Sequence, residues 1–177
     1  QADPSGRIVL HVDLALDQVG LSGKNLRPPH LLSAGQKQRL AIAGVLAMQP
    51  NLIILDEAST MLDPGGRRAV MDILRRLHAE GMTIIQISHF MQEAVNADRV
   101  LVLTRGNLVA DGTPASIFSN KSLLEEWGLE QPPAASLASL LRSQLPEFPT
   151  DILTTSDLLK TIASLPLHTY VYTDNGK

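Results

Sequence analysis

Two adjacent carboxylates, Asp56 and Glu57, close the apolar run "LIIL", and an imidazole, His89, closes a second apolar run, "TIIQIS". If the two runs are parallel strands, all three side chains arrive at one sheet edge, where ligands of open α/β sheets collect. Neighbouring acids at a strand end can divide their labour. Asp56 can hold Mg²⁺, usually through water, while Glu57 can orient and polarise an attacking water as a general base. His89 could contact a terminal phosphate and help to fix the water geometry. Taken alone, the acid pair also fits a strand followed by a solvated loop. A second grouping is "LSAGQKQR" at 32–39. Ser33 stands where an N-cap belongs, Gly35 permits close backbone approach, and a helix follows at once. Free N–H groups, the helix dipole and a hydroxyl make such a turn an anion cradle. By itself it is also an ordinary capped helix. His11, His30, His78 and His168 fall on helix faces or in loops and make no metal-ligand pattern.

The elements that must carry these groups follow from periodicity. Ile8, Val12, Ala15, Leu16 and Val19 recur at helical spacing, which predicts an amphipathic helix over 8–19. "GLSGKNLRPPH" (20–30) reads as a loop. The next helix should run from Ser33 to about Met48, stopped by "QPN". "NLIILD" is apolar without alternation, as expected for a parallel strand covered on both faces. Asp63-Pro64 supplies a cap and a first-turn proline. The helix after it lines up Val70, Ile73, Leu74 and Leu77, and Gly81 ends it. Strand 82–88, a short helix at 90–97 and strand 99–104 follow. "RGN" then turns the chain into "LVADG", an expected antiparallel hairpin at the sheet edge. Thr113-Pro114 opens another short helix. Residues 51–112 thus alternate strand and helix, the pattern of a layered α/β fold. Beyond 120 the texture becomes short helices and prolines, with no strong strand before "TYVY".

Bulk properties narrow the function classes. The 177 residues are 44% hydrophobic and 19% charged, the balance of a globular protein. A net charge of −3 and 3% aromatics give neither a basic face nor stacking platforms, so no nucleic-acid partner is expected. The absence of cysteine excludes disulfides and thiolate metal sites and fits a reducing compartment. The longest apolar stretch, "LAIAGVLAM", falls well short of the roughly 20 residues of a membrane-spanning helix. "QADPSGR" carries neither Met nor a signal-peptide pattern, and the chain is expected to be part of something longer.

In combination the motifs resemble those of the ATP-binding cassette ATPases. "LSAGQ" looks like the LSGGQ signature, with Ala34 in place of a glycine. "LIILDE" looks like Walker B with the catalytic glutamate, "TMLD" like the D-loop and "ISH" like the switch-histidine strand. The resemblance covers residue 8 to about 118. It implies an α/β fold: a partial P-loop NTPase domain with a helical signature region, a mostly parallel sheet and a C-terminal helical extension. Residues 1–50 would be the remainder of the helical subdomain, 51–119 the ATPase core, and 120–177 an extension for dimerisation. Two such domains pair head to tail, so Ser33, Gly35 and Gln36 of one chain face the ATP γ-phosphate held by the other. Asp56 would serve Mg²⁺, Glu57 and His89 catalysis, and Asp63 the contact with the partner chain.

The run from Gly35 to Val70 is similar to the ATPase subunits of energy-coupling factor transporters. Ala58 and "STMLDP" favour the first of their two non-identical subunits, and the tail is similar to their C-terminal extension. That similarity implies a second ATPase subunit as partner, in a heterodimer. It also implies a membrane-embedded coupling protein and a substrate-binding membrane protein, with this subunit peripheral on the cytoplasmic face of the membrane. Uptake of a vitamin or metal ion would be the work done.

A phosphate-cradling G-x-x-x-x-G-K-S/T loop is not found in the chain. "GLSGKN" (20–25) has the wrong spacing, offers Asn25 where a magnesium-binding hydroxyl belongs, and follows a helix rather than a strand. By the resemblance, Walker A would precede residue 1. Two readings stand. In one, the chain belongs to a full-length ATPase subunit. In the other, it is a short non-catalytic partner offering only its signature face. A third, in which Asp56 and Glu57 hold magnesium alone in a phosphotransfer receiver or phosphatase, leaves "LSAGQ" and His89 unexplained. The 177 residues alone are expected neither to fold stably nor to hydrolyse ATP, because the Walker B strand would lack its neighbour.

Overall fold

Helix α1 (Pro4–Gln18) starts four residues ahead of the expected position, with a proline in its first turn, where the lost N–H has no intrahelical acceptor. It belongs to the first of two compact units, which ends at His89; the second begins at Phe90, and the computed structural model describes residues 4–165. Ala15 and Leu16 are buried on one side of α1, as is Val19 just past its end. Its end is a Schellman motif: Leu21 N–H donates to the Leu16 carbonyl at 2.8 Å and Gly20 N–H to Asp17 at 2.9 Å. Gly20 takes φ +68, the left-handed conformation that this motif requires. The loop that follows contains one 3₁₀ turn, Pro29–Leu31.

Helix α2 (Ala34–Leu46) buries Ile42, Ala43 and Leu46. Strand β1 (Leu52–Asp56) and strand β2 (Thr83–Ile87) pair in parallel, with Leu52 opposite Thr83 and Asp56 opposite Ile87. Helix α3 (Pro64–Ala79) crosses between them, capped by Asp63, whose carboxylate accepts from Gly66 N–H at 3.0 Å. The expected α3 face is the buried one: Val70, Ile73, Leu74 and Leu77. These residues share one apolar cluster with Leu16, Val19, Ile42, Ile53 and Leu55.

The expectation that β1 is covered on both faces does not hold within this unit. Ile53 and Leu55 are buried, whereas Leu52 and Ile54 are 44% and 61% exposed, as are Ile85 (46%) and Ile87 (51%) of β2. In a strand alternate side chains face opposite ways. One face of this ribbon therefore packs in the α2–α3 cluster and the other stays open.

In the second unit, helix α4 (Met91–Ala94) is a single turn, shorter than the expected 90–97. Strands β3 (Val100–Thr104) and β4 (Asn107–Gly112) form the expected antiparallel hairpin, but as a two-stranded sheet of their own, not at the edge of the β1–β2 sheet. The turn is Arg105 at φ +51 and Gly106 at φ +79, the two positive values of a type I′ turn. Asparagine enters this region more readily than arginine. Arg105→Asn is expected to stabilise the hairpin by about 0.5–1 kcal/mol, read as a higher denaturation midpoint.

Beside the hairpin turn's far end, Arg99 clamps Asp111 through two hydrogen bonds, Nε to Oδ1 at 2.7 Å and Nη2 to Oδ2 at 2.6 Å. The hydrogen bonding from Arg99 holds the Asp111 carboxyl below its ordinary range, its charge adding to the effect. A depressed folded-state value means stability that is present above the unfolded pKa and lost as pH falls through the folded one. An NMR titration is therefore expected to place Asp111 below a free aspartate, and Arg99→Ala to return it to the ordinary range.

Helices α5 (Pro114–Phe118, capped by Thr113) and α6 (Lys121–Glu126) bury Ile117, Phe118 and Leu124 with Val102 of β3, and Trp127 packs half-buried against this cluster. Helices α7 (Pro133–Gln144) and α8 (Thr155–Ser164) close a smaller cluster around Ala138, Phe148, Ile152 and Leu158. The segment after 120 is helical, as expected; "TYVY" lies outside the described residues. Among the described residues no helix is long and apolar enough to cross a membrane.

Candidate functional site

The β1–β2 register delivers Asp56 and Glu57 to the end at which β2 runs on to His89. Glu57 N–H donates to the Ile87 carbonyl at 2.9 Å, which extends the ladder one step past the strand. There the backbone of Glu57 turns to φ +46. For a residue with a side chain this left-handed geometry costs about 1–2 kcal/mol. Strain of this kind clusters at working sites, where the surroundings hold it in place.

His89 Nδ1 lies 3.3 Å from Glu57 Oε1, and the Thr60 hydroxyl donates to Oε2 at 3.4 Å. Both members of the pair are about half exposed, 53% for His89 and 54% for Glu57. The contact is loose, as catalytic hydrogen bonds often are before substrate arrives. A water or phosphoryl oxygen can reach it.

A second group forms at the start of α2. The Ser33 hydroxyl accepts from Gln36 N–H at 3.3 Å, while the Gln36 side chain accepts from Ser33 N–H at 3.2 Å. This reciprocal capping box fixes the turn. Gly35 lies beside Gly66 of α3; a Cβ on Gly35 would stand 3.8 Å from the Gly66 Cα. The Ser33 turn and the Asp63-capped turn are therefore neighbours. The structure thus joins Glu57 to His89 directly, and gathers Ser33, Gly35 and Gln36 separately, with hydrogen bonds running between Ser33 and Gln36 themselves.

Sequence reasoning anticipated the Ser33 cap but not the return bond from Gln36, although S-x-x-Q spells it. It also missed Thr60, three residues after Glu57, and the positive φ of Glu57, for which no glycine gives a warning. Of the other histidines, His30 and His78 are exposed and His11 is half-buried; His168 lies outside the described residues. Among the described residues no cluster of three or more histidines and acids could hold a metal alone. Asp56, an exposed carboxylate at the strand end, instead suits Mg²⁺, which takes one or two carboxylates and completes its shell with phosphate and water.

Comparison with known proteins bears on this geometry. Residues 7–60 match the ABC transporter family. The energy-coupling factor transporter ATP-binding protein EcfA1 of Caldanaerobacter subterraneus is 46% identical over 160 residues, 90% of this chain and 58% of the relative. The chain is similar to proteins of the ATP-binding cassette family. Another cassette relative, EcfA1 of Symbiobacterium thermophilum, is also 46% identical, over 93% of this chain and 58% of its own. Among solved cassette structures, cbiO1 of Clostridium perfringens, described as part of the ABC transporter complex cbiONQ, is 35% identical. It superposes with a TM-score of 0.63 over 78% of this chain and 56% of that one. The chain thus spans just under three-fifths of the length of these cassette relatives.

Proposed function

We propose that these residues belong to an ATP-hydrolysing subunit of an energy-coupling factor transporter, paired head to tail with a second ATPase subunit. The single observation that carries the reading is the Glu57–His89 contact at the end of two parallel strands, with Glu57 held at φ +46. A water placed on Glu57 is oriented for in-line attack on the γ-phosphorus. Its oxygen bonds to phosphorus as the bond to the ADP oxygen breaks, and Glu57 accepts the proton. His89 steadies Glu57 and faces the γ-phosphate. Asp56 would hold Mg²⁺, which neutralises charge on the phosphate oxygens when bound. Ser33, Gly35 and Gln36 grip the γ-phosphate of ATP held by the neighbouring subunit, and Asp63 meets that subunit. Residues 120–177 help the two to pair. The assembly docks on a membrane-embedded coupling protein, at the cytoplasmic face, and powers uptake of a vitamin or metal ion through a substrate-binding membrane protein. The relatives' names and the matched family support this assignment.

Ser33→Asp tests it in the full-length subunit with its partner. Aspartate caps a helix as well as serine does, so melting should be unchanged. A carboxylate facing the γ-phosphate is expected to lower ATP turnover at least about tenfold. Wild-type turnover in this variant would instead favour a site that uses Asp56 and Glu57 without the Ser33 turn.

A further inference from the structure

The end of α1 holds three consecutive carbonyls, and two guanidiniums converge on them. The Schellman motif already uses the carbonyls of Leu16 and Asp17. Arg76, from α3, donates Nη2 to the Gln18 carbonyl at 3.0 Å. Arg39, from α2, donates Nη1 to Val19 at 3.1 Å and lies 3.4 Å from the Gly20 carbonyl. Gly20 makes room for this approach: a Cβ there would stand 3.2 Å from Arg39 Nη1. Cations at a helix C-terminus meet the negative end of the dipole, and charged donors make the stronger hydrogen bonds. Val19 and Leu21 beside the contact are fully buried, so the anchoring point is packed into the apolar cluster.

The two arginines differ in what they are attached to. Arg76 hangs on α3. Arg39 hangs on the same helix as the Ser33 turn, six residues further along. We propose that Arg39 is a positioning residue that locks the α2 signature turn to the end of α1, so that the turn's amides are aimed by α1 as one body with it. This inference rests on the reading that the Ser33 turn grips a γ-phosphate. A guanidinium holding two adjacent carbonyls restrains both the axial rotation and the translation of α2. Arg76 secures the same helix end without restraining that turn.

The test compares Arg39→Ala, Arg76→Ala and Arg39→Lys in the full-length subunit assembled with its partner, measuring melting temperature, kcat and KM for MgATP. Both alanine variants are expected to melt a few degrees lower. Arg39→Ala should lose about tenfold or more in kcat, the scale on which small misplacements act, and Arg76→Ala should stay within about twofold. Arg39→Lys, which replaces the one Nη1 that meets both carbonyls by an ammonium on a shorter, freely rotating stem, should fall between wild type and Arg39→Ala. Equal kcat losses in the two alanine variants would overturn the inference. So would recovery of the Arg39→Ala rate in an assay run as far below its own melting point as the wild type's is. If Arg39→Ala does not fold, Arg39→Lys decides, and a wild-type kcat there overturns the proposal. Ser33→Asp in the same assay separates the layers. A wild-type rate for it removes the phosphate-gripping reading itself, whereas a low rate with Arg39→Ala matching Arg76→Ala removes only the lock.

Discussion

Glu57→Gln, made in a full-length subunit assembled with its partner, is expected to bind ATP normally and to turn it over about 10²–10⁴-fold more slowly, the usual weight of a general base. The amide retains the size of the carboxylate and can still meet the Thr60 hydroxyl and the His89 ring, which stand 3.4 and 3.3 Å from the native oxygens. The backbone bond from Glu57 N–H to Ile87 is untouched. What the substitution removes is the capacity to accept the water's proton. ATP should therefore accumulate in an uncleaved complex, seen as retained nucleotide without released phosphate. Phosphate release at the wild-type rate would assign the proton to another group.

The largest stability effect should come from the helix that braces this site. Leu74 is 4% exposed on α3 and shares a cluster with Ile53 and Leu55 of β1. Leu74→Ala removes buried apolar contact and leaves a cavity that packed neighbours fill only in part, a loss of about 2–5 kcal/mol. Against a total of about 5–15 kcal/mol, that is a large share. Chemical denaturation of the full-length subunit followed by circular dichroism should show the midpoint falling accordingly. A change under about 0.5 kcal/mol would mean that α3 does not brace the strand.

The strand ends, the caps at Ser33, Asp63 and Thr113, and the buried face of α3 could all be read in the sequence because each is a local matter. A cap needs one side chain and the turn that follows it, and a helix face needs only period. The errors fall where distant partners decide. "LIIL" is apolar at every position, which says that both faces suit burial, but the cover for Leu52 and Ile54 is not supplied within this unit. The β3–β4 hairpin was legible from its turn, whereas its forming a sheet of its own was not, because edge pairing depends on backbone groups rather than side-chain pattern. The Arg39 and Arg76 contacts with α1 span 19 to 58 residues, and nothing in the local pattern announces them. The left-handed Glu57 is imposed by its surroundings against its own preference.

Trp127 is the chain's lone indole and sits in the Phe118–Leu124 cluster of the second unit. Tryptophan emission therefore reports the surroundings of Trp127 in that unit, whereas Leu74, Glu57, Arg39 and Arg76 belong to the other. If the halves unfold separately, fluorescence will stay native while circular dichroism falls, and the gap between the two optical signals will measure how independently they unfold.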